Sequence, residues 1–123
     1  MKRELVTTLA VTAVLVALSA AKLTVLAGAH PWWAIQTGMI GTAIGCLIYG
    51  AMRLLGLRPG FLVVLSGLGL VAATVEVVLT RQAYIAADGP AALSGRLWYF
   101  GWIGLMAALC VWLCSLAVLA LRR

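Results

Sequence analysis

Four apolar segments, each long enough to cross a membrane as a helix, take up nearly all of the 123-residue chain: 5–27, 33–54, 61–83 and 97–121. Roughly 20 helical residues cross a hydrocarbon core of about 30 Å. The residues are 65% hydrophobic and only 10% charged, so the chain lacks the polar shell that a water-soluble core needs. The sequence therefore predicts an all-α polytopic membrane protein, with residues 1–123 forming one transmembrane domain.

The loops between the segments are short, and consecutive helices are expected to be antiparallel neighbours in an up-down-up-down four-helix bundle. Basic residues orient such a bundle, because cytoplasmic loops carry an excess of Lys and Arg. The side of the N-terminus holds six of them and the opposite side three, Lys22, Arg81 and Arg96. This bias predicts that both termini are cytoplasmic, and we expect an integral protein of a bacterial cytoplasmic membrane.

The first segment has a second interpretation. Its basic start, its apolar run and the pattern Ala27-x-Ala29 resemble a secretory signal peptide. The apolar run is longer than a typical signal, so we interpret it as a transmembrane helix. The net charge of +6 fits a membrane orientation and contact with anionic lipids. We expect membrane lipids and no nucleic acid as partners, because no basic stretch lies in a soluble segment.

One carboxylate stands inside an apolar segment. Of the three acidic residues, Glu4 is near the terminus, Asp88 stands beside a Gly-Pro turn, and only Glu76 lies deep in a hydrophobic run, LVAATVEVVLTRQ. A step of 100° per residue places Glu76 on a face of small residues, with valines behind it. We therefore expect it to point into protein, in the outer half of the membrane. At that depth the carboxylate is protonated, paired with a cation or facing water. Its role is either that of a structural tether or that of a ligand or proton site.

The candidate site around Glu76 adds three outer residues. Lys22 reaches a similar depth in the first segment, and it either extends to the interface or pairs with Glu76. Trp98 and Trp102 are typical of an interfacial aromatic belt. Above a buried carboxylate they would alternatively line the mouth of a site for a lipophilic cation. The hypothetical ligand or proton site is therefore Glu76, Lys22, Trp98 and Trp102.

Small residues recur at helical spacing on two segments, and we name them the second-helix stripe and the fourth-helix stripe. Small side chains let two helix backbones approach closely in lipid. The stripes therefore predict helix packing, either inside the bundle or with another subunit. The second-helix stripe is Gly38, Gly41 and Gly45, and the fourth-helix stripe is Gly101, Gly104 and Ala108.

Chemistry-bearing motifs are sparse. Cys110 and Cys114 share a helical face, where two thiols suit a soft metal or serve as small apolar fillers, and the only histidine, His30, is in a predicted loop. No nucleophile–base pair, phosphate loop or HExxH motif is present, so we expect no enzyme activity, metal or cofactor. The sequence predicts a non-catalytic accessory or assembly subunit that packs against other membrane subunits or itself. The alternative is a small homodimeric transporter that couples to protons or cations through Glu76.

Overall fold

A computed structural model describes residues 2–22, 24, 26, 34–86 and 92–121. They form four α-helices, α1 (Lys2–Ala20), α2 (Ala34–Leu54), α3 (Pro59–Ala86) and α4 (Ala92–Leu121). Each helix is long and apolar enough to cross a membrane. The prediction of an all-α protein with four membrane-crossing helices is therefore confirmed.

The predicted end of the first helix, residue 27, is wrong. The α-helix ends at Ala20, and Lys22 takes a left-handed backbone conformation with φ of 62°. Its N–H donates to the Ser19 carbonyl at 3.0 Å, which closes the last turn with a bond three residues back. Apolar composition continues beyond this point, but composition reports solvent preference and cannot locate the residue at which the helical hydrogen bonds stop.

The turn from α2 to α3 follows from its glycine and proline. Gly56 has φ of +89°, a conformation that glycine adopts without a Cβ penalty. The Leu57 N–H donates to the Met52 carbonyl at 3.1 Å and the Gly56 N–H to the Arg53 carbonyl at 3.0 Å. These two bonds form a Schellman motif, which satisfies the last carbonyls of α2. Pro59 then begins α3, where its missing N–H costs no helical bond.

The core runs along α4. This helix packs against α1, α2 and α3, and α1 also packs against α2, whereas α3 packs mainly against α4. Most of the buried apolar side chains belong to α4, namely Trp98, Trp102, Met106, Ala107, Cys110, Val111, Cys114 and Val118. Because α2 and α3 are held by the same central helix and not by one another, a space is left between them.

Candidate functional site

The second-helix stripe is filled from within the chain. A side-chain carbon built on Gly41 would lie 2.6 Å from the Ile103 carbonyl oxygen, and one built on Gly45 would lie 2.5 Å from that of Ala107. Gly38 faces Ser19 of α1 in the same way. These glycines therefore permit the close approach of α2 to its neighbours in the same chain.

The fourth-helix stripe is only partly filled. Gly101 lies against Glu76 of α3, and Ala108 lies 4.0 Å from a side-chain carbon built on Gly69. Gly104, between them, has no described atom within 4 Å of such a carbon, and it is exposed. The packing expected at Gly104 is therefore not made within the described part of the chain.

Gly104 belongs to the floor of a groove between α2 and α3, which we call the α2–α3 groove. Its volume is about 440 Å³. The floor is α4, and α2 and α3 form the walls. The one hydroxyl in the lining, that of Ser66, donates to the Leu62 carbonyl at 2.5 Å, so the groove is apolar in character. It is lined by Ile44, Ile48, Met52, Leu62, Leu65, Ser66, Gly69, Ala73, Ile103, Gly104, Ala107, Ala108 and Val111.

Glu76 lies one helical turn beyond the groove. Its carboxylate contacts Gly101. Any larger residue at position 101 would overlap the space that the carboxylate occupies. The side chain is half-buried. Ala73 and Gly104 line the groove, and Glu76 and Gly101 are three residues from them. Residues of the same faces therefore continue the groove to the carboxylate.

The Glu76 carboxylate makes no hydrogen bond or ion pair with any described residue. The ion pair that the described residues do form joins Arg53 to Glu4. The Thr80 hydroxyl is close in sequence to Glu76, but it donates to the Glu76 backbone carbonyl at 2.8 Å. A carboxylate in a membrane-crossing helix normally has a partner. The described part of the chain supplies none for Glu76, so its negative charge, when present, is not compensated there.

The other residues of the predicted ligand site lie on α4 and in the turn after α1. Lys22 is exposed in the turn after α1 and forms no ion pair with Glu76. Trp98 and Trp102 are buried, with 5% and 3% of their surface exposed. Trp102 lines a separate cavity of about 380 Å³ between α1, α3 and α4, and Glu76 is not part of that lining. The aromatic pair at 32–33 lies outside the described residues.

Glu4, Tyr49 and Arg53 form a polar cluster that the sequence analysis does not predict. The Arg53 guanidinium is paired with the Glu4 carboxylate in a two-point contact, in which Nη2 lies 3.1 Å from Oε2. The Tyr49 hydroxyl donates to Glu4 Oε1 at 3.1 Å, and Arg53 Nη1 donates to the Leu57 carbonyl at 2.7 Å. The cluster ties the start of α1 to the end of α2. Its signal was available, because Glu4 and Arg53 are the only acid of α1 and the only base of α2.

The thiols of α4 lie in the interior. Cys110 and Cys114 are fully buried and are not part of a disulfide. The Cys110 sulfur is 3.8 Å from the Thr12 hydroxyl oxygen, and the Cys114 sulfur is 4.0 Å from the Thr8 carbonyl oxygen. Across the described ranges, no three His, Cys, Asp or Glu side chains come together as metal ligands. The two thiols contribute to the contact between α1 and α4.

Comparisons with known proteins return no match among family models, curated proteins or solved structures. The site therefore consists of two features: the α2–α3 groove with its open glycine, and a carboxylate at one end of that groove that forms no ion pair with a described residue.

Proposed function

We propose that the protein is a non-catalytic assembly subunit of a membrane complex, and that a transmembrane helix of its partner packs into the α2–α3 groove. The observation that supports this most directly is the open space at Gly104, at the centre of the groove floor. A second helix placed there would complete the packing of the fourth-helix stripe.

Packing in lipid explains why a helix suits this place. Apolar surface alone does not drive two helices together in a membrane, since lipid tails are as apolar as Leu. Close contact between backbones does, and it needs small residues on at least one side. Gly69, Ala73, Gly104 and Ala108 supply them on two adjacent helices. A mobile acyl chain in the groove would lose conformational freedom and gain fewer fixed contacts.

The proposal includes an up-down-up-down arrangement with both termini on the cytoplasmic side. Three sets of contacts support the helix directions. Glu4 meets Arg53 near opposite ends of α1 and α2, Ser19 meets Gly38 at their other ends, and Glu76 meets Gly101 across α3 and α4. The six-to-three distribution of Lys and Arg supports the orientation. A bacterial cytoplasmic membrane remains our expectation for the location.

The test replaces Gly104 with Leu and purifies the protein from its native membrane in mild detergent. A Cβ at position 104 has no described atom within 4 Å, and the rest of a Leu side chain would enter the α2–α3 groove. The fold should therefore persist while the partner is excluded. Gly50→Leu is the matched control, because Gly50 also has no atom within 4 Å but lies outside the groove lining. We expect native mass spectrometry to show a complex for the wild type and Gly50→Leu, and an isolated chain for Gly104→Leu. An isolated wild-type chain would refute the assembly proposal.

A second candidate function rests on Glu76. A half-buried carboxylate without a compensating group in a membrane helix is also what a proton- or cation-coupled transporter needs, and such a small protein would act as a homodimer. The probe is tetraphenylphosphonium, a lipophilic cation, added to purified protein in liposomes. Transport predicts binding that weakens as Glu76 is protonated at low pH, and that loses both strength and pH dependence in Glu76→Gln. Absence of binding in the wild type would exclude this use of Glu76.

A further inference from the structure

The α2–α3 groove and Glu76 form one continuous surface of mixed character. On α3 it extends from Leu62 to Glu76, fourteen residues or about 21 Å at 1.5 Å per residue. On α4 it extends from Val111 to Gly101, which the carboxylate contacts. The surface is apolar over most of this length and acidic at its outer end. An occupant that fits the whole surface is therefore apolar and carries a positive charge near one end.

The described part of the chain does not provide that charge. Arg81 and Arg96, on the same two helices, are exposed and are not within ion-pair distance of Glu76, and Lys22 is exposed in the turn after α1. The contrast is Glu4, whose carboxylate is paired with Arg53. Charge complementarity at Glu76 must then come from outside the described chain or from a proton.

We infer that the partner helix in the α2–α3 groove belongs to another membrane protein and presents a Lys or Arg side chain to Glu76. This inference rests on the proposed function, and it specifies the partner. The basic residue lies about one turn outward from the partner residue that covers Gly104, because Glu76 and Gly101 lie one turn outward from Ala73 and Gly104.

The shape of the surface favours a helix over other cationic occupants. Sites for small molecules are lined by aromatic as well as hydrophobic side chains. The described lining of this groove has no aromatic side chain, and its floor exposes backbone at Gly104. The amine of a lipid headgroup stays at the membrane interface, whereas the surface from Leu62 to Glu76 spans about two thirds of a 30 Å core.

A second copy of this chain is less suitable. Lys22 follows the end of α1 in a left-handed turn and is not presented by a helix face. Arg81 and Arg96 are five residues outward of Glu76 and Gly101 on their helices, about 7.5 Å from the depth of the carboxylate.

The experiment uses the full chain in liposomes with synthetic single-span helices as probes. Three peptides share a Leu/Ala sequence with a central Gly: one has Lys one turn outward from the Gly, one has Gln there, and one has Lys one turn inward. Binding is measured by energy transfer from a donor on the protein to an acceptor on the peptide. Glu76→Gln is the principal variant, with circular dichroism as the check on its folding, and Gly104→Leu reports on the groove.

We expect the outward-Lys peptide to bind the wild type about tenfold more tightly than the Gln peptide, a factor equivalent to about 1.4 kcal/mol. The inward-Lys peptide should bind no better than the Gln peptide. In Glu76→Gln the outward-Lys peptide should fall to the level of the Gln peptide. Gly104→Leu should weaken the binding of all three peptides.

Equal binding of the outward-Lys and Gln peptides would overturn the inference, as would tight binding of the outward-Lys peptide to Glu76→Gln. If Gly104→Leu still weakened binding in that case, the groove would remain a helix site and only the charge would be wrong. Failure of the proposed function would be seen in a different experiment, as an isolated wild-type chain after purification from the native membrane. Self-association of the wild type would also overturn the inference, in favour of a second copy, if it were lost in Glu76→Gln and in any one of Lys22→Gln, Arg81→Gln and Arg96→Gln.

Discussion

Substitution of a single hydrogen by a methyl group at Gly41 tests the internal packing of α2 against α4. A Cβ atom at Gly41 would lie 2.6 Å from both the Ile103 carbonyl oxygen and the Met106 Cβ. Ordinary van der Waals contact begins near 3.4 Å, so the two helices must separate by roughly 0.8 Å locally. The oxygen belongs to the backbone of α4 and cannot move away by a rotamer change.

The size of the effect follows from two opposing contributions. Overpacking of a close interface costs about 1–3 kcal/mol. Replacement of Gly by Ala in a helix returns up to about 1 kcal/mol through propensity. Because the clash includes a backbone oxygen of α4, the upper part of the overpacking range applies. We therefore expect Gly41→Ala to lower the free energy of unfolding by about 1–2 kcal/mol, a factor of roughly 5–30 in the ratio of folded to unfolded protein. Gly104→Ala meets open space, so only the propensity contribution applies and stability should stay equal or rise.

The assay is reversible unfolding of the purified protein by SDS in mixed micelles, followed by far-ultraviolet circular dichroism. Gly41→Ala and Gly104→Ala are compared with the wild type at the same detergent concentration, where assembly with a partner does not contribute. A Gly41→Ala protein as stable as the wild type would show that α2 and α4 are not in the close contact described here. Equal losses in both variants would show that the two glycines have similar surroundings.

Three further outcomes can be measured on purified protein or on intact cells. Arg53→Gln should lower the free energy of unfolding in the same SDS assay by about 1–3 kcal/mol, between the values for exposed and buried ion pairs, because the Arg53 and Glu4 side chains are only 22% and 20% exposed; no loss would mean that the pair is absent in the membrane. An impermeant maleimide applied to the outside of cells should label a cysteine placed at Gly89, which lies outside the described residues, and not one placed at Gly60; the reverse pattern would invert the orientation. The folded protein should protect the fully buried Cys110 from N-ethylmaleimide until SDS unfolds it, and rapid labelling would contradict its place in the core.

The helices could be predicted from the sequence because the membrane imposes a simple requirement. A segment that crosses the hydrocarbon core must be long, apolar and internally hydrogen-bonded, and four segments meet that requirement. The end of α1 could not be predicted in the same way. Lys22 ends the helix through its left-handed backbone and the bond of its N–H to the Ser19 carbonyl, and no glycine or proline at that position signals the turn.

The sequence could predict the direction in which the Glu76 side chain points, but not which residues surround the site. Helical periodicity gives the direction of Glu76 relative to the axis of α3, and its small-residue face indeed meets α4 at Gly101. Periodicity carries no information on which side of α4 is covered by a third helix. Gly41 and Gly104 therefore look alike in the sequence, although the first is pressed against a backbone and the second faces open space.

Glu4 and Glu76 show how one chain treats two membrane carboxylates differently. Glu4 accepts hydrogen bonds from Arg53 and Tyr49, so its charge is compensated by residues that the fold itself brings together. Glu76 rests on a glycine that leaves space for it and receives no donor from the described residues. The described basic residues Lys22, Arg81 and Arg96 form no ion pair with it. The described residues supply no cation to this carboxylate. A partner's cation or a proton would neutralise it, and the Glu76→Gln comparison separates those two cases.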